Sequence, residues 1–162
     1  MQSREDPAER TGYLRFFYRG WRPTRLGRLW SRAYAWVVGL GLTPGILISL
    51  QTVDRRSGRL SSTVLVVVRY HGERYLVSML GNGSRWVQNV RAAGGKAFIK
   101  RCQRQQVSLT ELPPQERAPI LKAWCQVATS GRQHLPVSHR APISEFEAIA
   151  SDYPVFRIDL AV

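Results

Sequence analysis

The sequence predicts an α+β protein built on a small antiparallel β-barrel. Three observations predict it. Six short runs, 46–54, 60–70, 73–80, 96–102, 106–112 and 155–160, have the alternating or β-branched character of strands. Turn signals such as Arg56-Ser57-Gly58-Arg59 and His71-Gly72 join consecutive runs as hairpins. The helical stretches are few and peripheral, so they do not alternate with strands as a parallel sheet requires.

Each element has a local reason. Residues 1–22 form a leader in which Tyr13, Phe16, Phe17, Tyr18 and Trp21 stand among arginines. Residues 23–162 form a single domain, as a chain of 162 residues allows. A helix is expected from Pro23-Thr24 to Val38, because Leu26, Leu29, Trp30, Ala33, Trp36 and Val37 recur at helical spacing. Residues 33–50 carry no charge, but Thr43-Pro44-Gly45 breaks the run and Ile46–Leu50 is β-branched, so a strand is expected in place of a membrane span. The run Val64–Val68 marks a central strand covered on both faces. Trp86, Val90 and Ala93 share the inner face of a helix over 84–93, which Gly94-Gly95 ends. Pro113-Pro114 opens a helix to Ala128, and Pro119 predicts a kink or two short pieces there. A loop over 131–140 and a short helix over 143–150 precede the last strand.

The charge balance narrows the partners. Lys and Arg number 24 against 11 Asp and Glu, a net charge of +13, and only Lys96, Lys100 and Lys122 are lysines. Such a surplus suits a polyanionic ligand, an anionic membrane surface or nucleic acid. Nucleic acid ranks last, since the aromatics recur at core-like spacings and no recognised module appears. Two cysteines, Cys102 and Cys125, make neither a disulfide framework nor a metal set. Residues 1–30 lack the apolar core of a secretory signal. A reducing, cytoplasmic setting is therefore expected, with the basic aromatic N-terminal region as the part suited to the inner face of the membrane.

Catalytic constellations are sparse. There is no phosphate-binding glycine loop, no nucleophile elbow, and no metal-ligand spacing among His71, His134, His139 and the cysteines. Chemistry is therefore expected from a bound cofactor. The stretch 55–63 is a candidate anion holder. Arg55 and Arg56 offer fork-shaped donors, Ser57, Ser61, Ser62 and Thr63 offer hydroxyls, and Gly58 lets backbone approach closely. The corner Gly81-Asn82-Gly83-Ser84 is where a flat ligand would rest.

Several motifs together resemble one family. They are Arg55-Arg56-Ser57-Gly58 with Thr63-Val64-Leu65, then 72–78 (GERYLVS) and 86–92 (WVQNVRA). The tail adds 113–122 (PPQERAPILK), 145–150 (EFEAIA) and 153–156 (YPVF). From about residue 51 onward the chain resembles the deazaflavin-dependent nitroreductases of actinobacteria, which are split β-barrels. The resemblance implies the reduced deazaflavin coenzyme F420, with flavin mononucleotide as the lesser candidate. By motif match, Arg55, Arg56 and Ser57 would hold its acidic tail. Ser61, Ser62 and Thr63, with Val64 and Leu65, would line the phosphate and ring edge. Ser78, Met79, Leu80 and Gly81 would meet the ring through backbone groups, and Arg85, Trp86 and Asn89 would close the other side. The chain has Ser61 where the family often has a second arginine, with Arg59 nearby, and Val64 where the family often has proline.

The function this implies is hydride transfer from reduced F420 to a small electrophile, a quinone or a nitroaromatic. No catalytic side chain is assigned, and no oligomeric state is set. The alternative is a non-catalytic split barrel that binds an anionic or lipid-like ligand.

Overall fold

The structure is a computed structural model that describes residues 45–160 and the backbone of residues 18–19 and 22–23. Strands β1 (Tyr18–Arg19) and β2 (Arg22–Pro23) pair antiparallel as a minimal ladder. The expected helix over 24–38 and the rest of the leader lie outside the described residues.

Six strands follow: β3 (Leu47–Val53), β4 (Leu60–Tyr70), β5 (Glu73–Val77), β6 (Lys96–Arg101), β7 (Gln103–Glu111) and β8 (Val155–Leu160). They close into a barrel in the order β3-β4-β5-β8-β7-β6, and every neighbouring pair is antiparallel. Among the described residues, three α-helices decorate it: α1 (Arg85–Ala92), α2 (Pro114–Val127) and α3 (Ile143–Ile149). The architecture is an α+β split β-barrel, as the sequence predicts.

Alternation places two cores. Ile48, Leu50, Leu76, Val107, Phe156 and Ile158 fill the barrel, and α1 adds Trp86, Val87 and Val90 to the same cluster. The second cluster lies outside, where Val66, Val68 and Tyr70 of β4 meet Leu121 and Trp124 of α2 and Phe146 of α3. Strand β4 therefore packs on both faces, which explains its unbroken apolar run. It also sits between β3 and β5, as its sequence suggests. The glycine pair after α1 closes it with a Schellman pattern: the Gly95 N–H donates to the Val90 carbonyl at 2.9 Å and Gly94 N–H to Arg91 at 3.2 Å. Gly95 has φ +85°, and a Cβ there would stand 2.7 Å from the Leu109 carbonyl oxygen.

Four boundaries differ from the sequence reading. Strand β5 stops at Val77, so Ser78, Met79 and Leu80 belong to a turn. Strand β7 begins at Gln103, because its polar start pairs with β6 although it buries nothing. Cys102 is an exposed turn residue with φ +62°, not a strand residue. Helix α2 is one continuous helix that contains Pro119, because its buried face, with Ile120, Leu121 and Trp124, holds it together. Among the described residues, no helix is long and apolar enough to cross a membrane.

Candidate functional site

The β3–β4 turn is organised by a residue the motif reading passed over. Asp54 ends β3 and accepts three hydrogen bonds on Oδ1, from Arg56 N–H (3.1 Å), Ser57 N–H (2.9 Å) and Ser57 Oγ (3.1 Å). Such a side-chain-to-backbone pattern replaces the missing ladder where strands diverge. The chain closes on itself as Asp54 N–H donates to the Arg59 carbonyl and Gly58 N–H to the Asp54 carbonyl, both at 2.8 Å. Gly58, at φ +67°, takes the left-handed conformation that this closure needs.

Helix α1 fixes the turn from the side. Arg85 donates to Asp54 Oδ2 at 2.6 Å, although its own side chain is mostly exposed. Asn89, buried, accepts from Arg55 N–H at 3.2 Å and donates to Thr52 Oγ1 at 3.2 Å. All four Asp54 and Asn89 contacts to 55–57 use the backbone or Ser57, so the guanidinium groups of Arg55 and Arg56 stay available. Arg55, Arg56 and Arg59 are exposed. The turn thus presents three guanidinium groups on a backbone that is already ordered.

Arg85 and the Ser57 N–H, in that order, hold the Asp54 carboxyl well below the usual carboxylate range, with the Arg56 N–H and Ser57 Oγ adding to them and burial opposing. The sign follows from linkage. A depressed folded pKa gives stability that is present above the ordinary carboxylate value of about 4 and is lost as pH falls through the lowered value. The turn should therefore keep its order across neutral and mildly acid pH and loosen only in strong acid. A carboxyl-carbon NMR titration of Asp54 should show this, and Arg85→Ala should move its midpoint upward toward the ordinary value. An unmoved midpoint would show that the backbone donors alone set the carboxyl.

The remaining candidate residues divide by face. Thr63 pairs with Leu50, and Leu65 with Ile48, so Ser61, Thr63 and Leu65 share the barrel-facing side of β4. Ser62 and Val64 face outward. Ser78 is buried, with its Oγ 2.8 Å from both the Gly81 carbonyl oxygen and Ser84 Oγ. Its hydroxyl shapes the corner together with the Gly81 N–H, which donates to the Ser78 carbonyl at 3.0 Å. Gly81 has φ +74°, and a Cβ there would stand 3.0 Å from the Asp152 carbonyl oxygen. Trp86 lies in the barrel cluster with its ring centroid 5.3 Å from that of Phe156. Trp86 and Asn89 thus support the site from beneath, while Arg85 flanks it.

The corner is tied down independently. Asn82 donates to the carbonyls of Ser151 (3.0 Å) and Asp152 (3.3 Å) and accepts from Arg91 at 2.8 Å. Arg91 in turn grips Glu111 with two bonds of 2.7 and 2.8 Å. Asp54 is the residue that sequence reasoning missed, and Asn82, named only as part of the corner, is what ties it down. An Asp three residues before Ser-Gly is a turn signal that would have pointed to the first.

Together these features define a split-barrel protein with a rigid cationic hairpin tip beside a clamped strand-to-helix corner. No protein-family model and no curated protein matches the chain. Solved structures share the fold. One, described as a domain-swapped dimer, has TM-score 0.51 and 16% identity over 83% of this chain and 94% of its own. A protein of unknown function from Agrobacterium tumefaciens has TM-score 0.52 and 11% identity over 79% of this chain and 54% of its own. These two likenesses show the fold alone. An F420-H2 dependent reductase is also similar, with TM-score 0.44 and 20% identity over 71% of this chain and 95% of its own.

Proposed function

We propose that this split barrel binds reduced coenzyme F420 and serves as an oxidoreductase toward a small electrophile of the quinone or nitroaromatic class. The observation that carries the reading is the preorganised turn: Asp54 and Asn89 fix the backbone of 55–57 while Arg55, Arg56 and Arg59 remain exposed. That donor set fits an acidic oligoglutamate tail and a phosphate, because guanidinium forks match carboxylate and phosphate geometry. The motifs at 55–58, 63–65, 72–78 and 86–92 supply the cofactor's identity.

When bound, the coenzyme supplies a hydride that reduces the electrophile, and solvent supplies the balancing proton. The chain's residues bind and orient. Arg55 and Arg56 hold the anionic end. Ser62 and Val64, on the outward face of β4, border the phosphate and ring edge. The backbone of Met79 and Leu80 meets the ring, while Gly81 spends its N–H on the Ser78 carbonyl and shapes the corner. In the same reading, the basic aromatic region 1–22 touches an anionic membrane surface, where each cation adds roughly 1 kcal/mol.

The test is deazaflavin affinity in Arg55→Ala, Arg56→Ala and the double variant at two salt concentrations, with flavin mononucleotide as control. Both substitutions leave the Asp54 and Asn89 bonds to the backbone in place, so the turn should persist. A charge-assisted contact is worth roughly 1.5–3 kcal/mol, so Arg56→Ala should weaken binding about ten- to a hundredfold. Added salt should weaken the wild type more than the double variant, since the contacts are exposed. Wild-type affinity in the double variant would remove the reading.

A further inference from the structure

Away from the turn, the outer face of the barrel carries a groove of about 260 Å³ that the deazaflavin reading does not use. It lies where β3, β6 and β7 run side by side. Gln51, Phe98 and Gln106 form one cross-strand row, since Phe98 pairs with Gln51 on one side and Gln106 on the other. The apolar lining comes from Val53, Phe98 and Ala93. Val53 is 44% exposed, a high value for a strand valine. Apolar surface left open in a concavity marks a ligand site more often than a plain surface does.

The polar groups around it are of one kind. Lys96 lines the groove directly. The Arg104 guanidinium lies 3.8 Å from the centroid of the Phe98 ring, covering one of its faces. No acidic side chain lines the groove. Gln51 and Gln106 also line it.

We infer that this groove binds a free single-chain anionic amphiphile, its apolar body on Val53 and Phe98 and its carboxylate or phosphate head on Lys96. Charge complementarity fixes the head, since Lys96 is the charged residue that lines the groove and Arg104, over the neighbouring Phe98 ring, is also cationic. The concave shape fixes the form. A bilayer surface is met by projecting apolar residues, whereas these line a recess whose volume suits one short chain. The site is separate from the arginine turn in its side chains, and its failure leaves the deazaflavin reading untouched.

The probes are decanoate and decyl phosphate below their aggregation concentrations, with decanol as the uncharged control, titrated calorimetrically into the full chain. The wild type should bind both anions at least tenfold more tightly than decanol. Lys96→Gln should abolish most of that preference and leave decanol unchanged. Phe98→Ser should weaken all three. Deazaflavin affinity should be unchanged in Lys96→Gln, and decanoate affinity unchanged in the Arg55/Arg56 double variant. Vesicles of phosphatidylglycerol form a second arm. Binding to vesicles without binding to free decanoate would overturn the proposal in favour of a lipid surface. Equal affinity for decanoate and decanol, or wild-type decanoate affinity in folded Lys96→Gln, would also overturn it. Melting curves of each variant guard against loss of fold, and Lys96→Arg, which keeps the charge, should retain the preference.

Discussion

Replacing Trp86 with alanine is expected to destabilise the domain by about 3–5 kcal/mol, as truncation of a large buried aromatic does. Trp86 is only 6% exposed and packs in the barrel among Leu76, Val90 and Phe156. Its tilted contact with Phe156 adds the edge preference of aromatic pairs to simple burial. Helix α1 is only eight residues long and owes its position to that buried face. Losing the indole should therefore loosen Arg85 and Asn89 as well, and with them the Asp54 turn. Urea unfolding would show a lower midpoint, and deazaflavin affinity should fall in parallel. Trp86→Phe keeps a ring opposite Phe156 and should cost less than half as much. An unchanged midpoint in Trp86→Ala with lost ligand binding would show that the indole is a direct ligand contact.

The barrel was legible in the sequence because its signals are local. Val64–Val68 reads as a doubly covered strand, and it lies between β3 and β5 with a core on each face. Trp86 and Val90 bury on one side as their helical spacing predicts, joined by Val87, whereas Ala93, expected on the same face, caps the helix and lines the outer groove. The arginine-rich turn was legible in composition, from its arginines, hydroxyls and Gly58. What makes it rigid was not. Asp54 meets Arg85 across 31 residues and Arg55 meets Asn89 across 34, and no local pattern encodes such pairs. The early end of β5 was also hidden. Ser78 looks like a strand residue, but its hydroxyl turns to Gly81 and Ser84. Likewise Gln103–Gln105 looks like a loop, because polar residues carry little strand preference, yet the pairing with β6 extends the strand through them.

Arg117→Ala is expected to cost about 3 kcal/mol or more. Arg117 is 5% exposed and spends its guanidinium on three partners. Nε donates to the Leu112 carbonyl at 2.8 Å, Nη1 to the Ala150 carbonyl at 3.1 Å and Nη2 to Glu111 Oε1 at 3.0 Å. These join the end of β7, the first turns of α2 and the end of α3. Truncation strips two carbonyls of a charged donor and opens a cavity, and breaking one side of a buried ion pair is costly in itself. Glu111 keeps Arg91, which holds the loss toward the lower end of that class. Through Glu111, Arg91 and Asn82 the same network reaches the strand-to-helix corner. The loss should therefore also loosen Gly81 and Ser84, while the Asp54 turn, held by α1, stays ordered. Arg117→Met restores volume without donors and should recover part of the stability but not the order of the corner. Urea unfolding of both variants, with amide exchange read at residues 81–84 and 56–58, separates these effects. Equal unfolding free energies for wild type and Arg117→Ala would show that the guanidinium contributes nothing net. Exchange accelerated over wild type as much at 56–58 as at 81–84 would show that the corner and the turn are one unit.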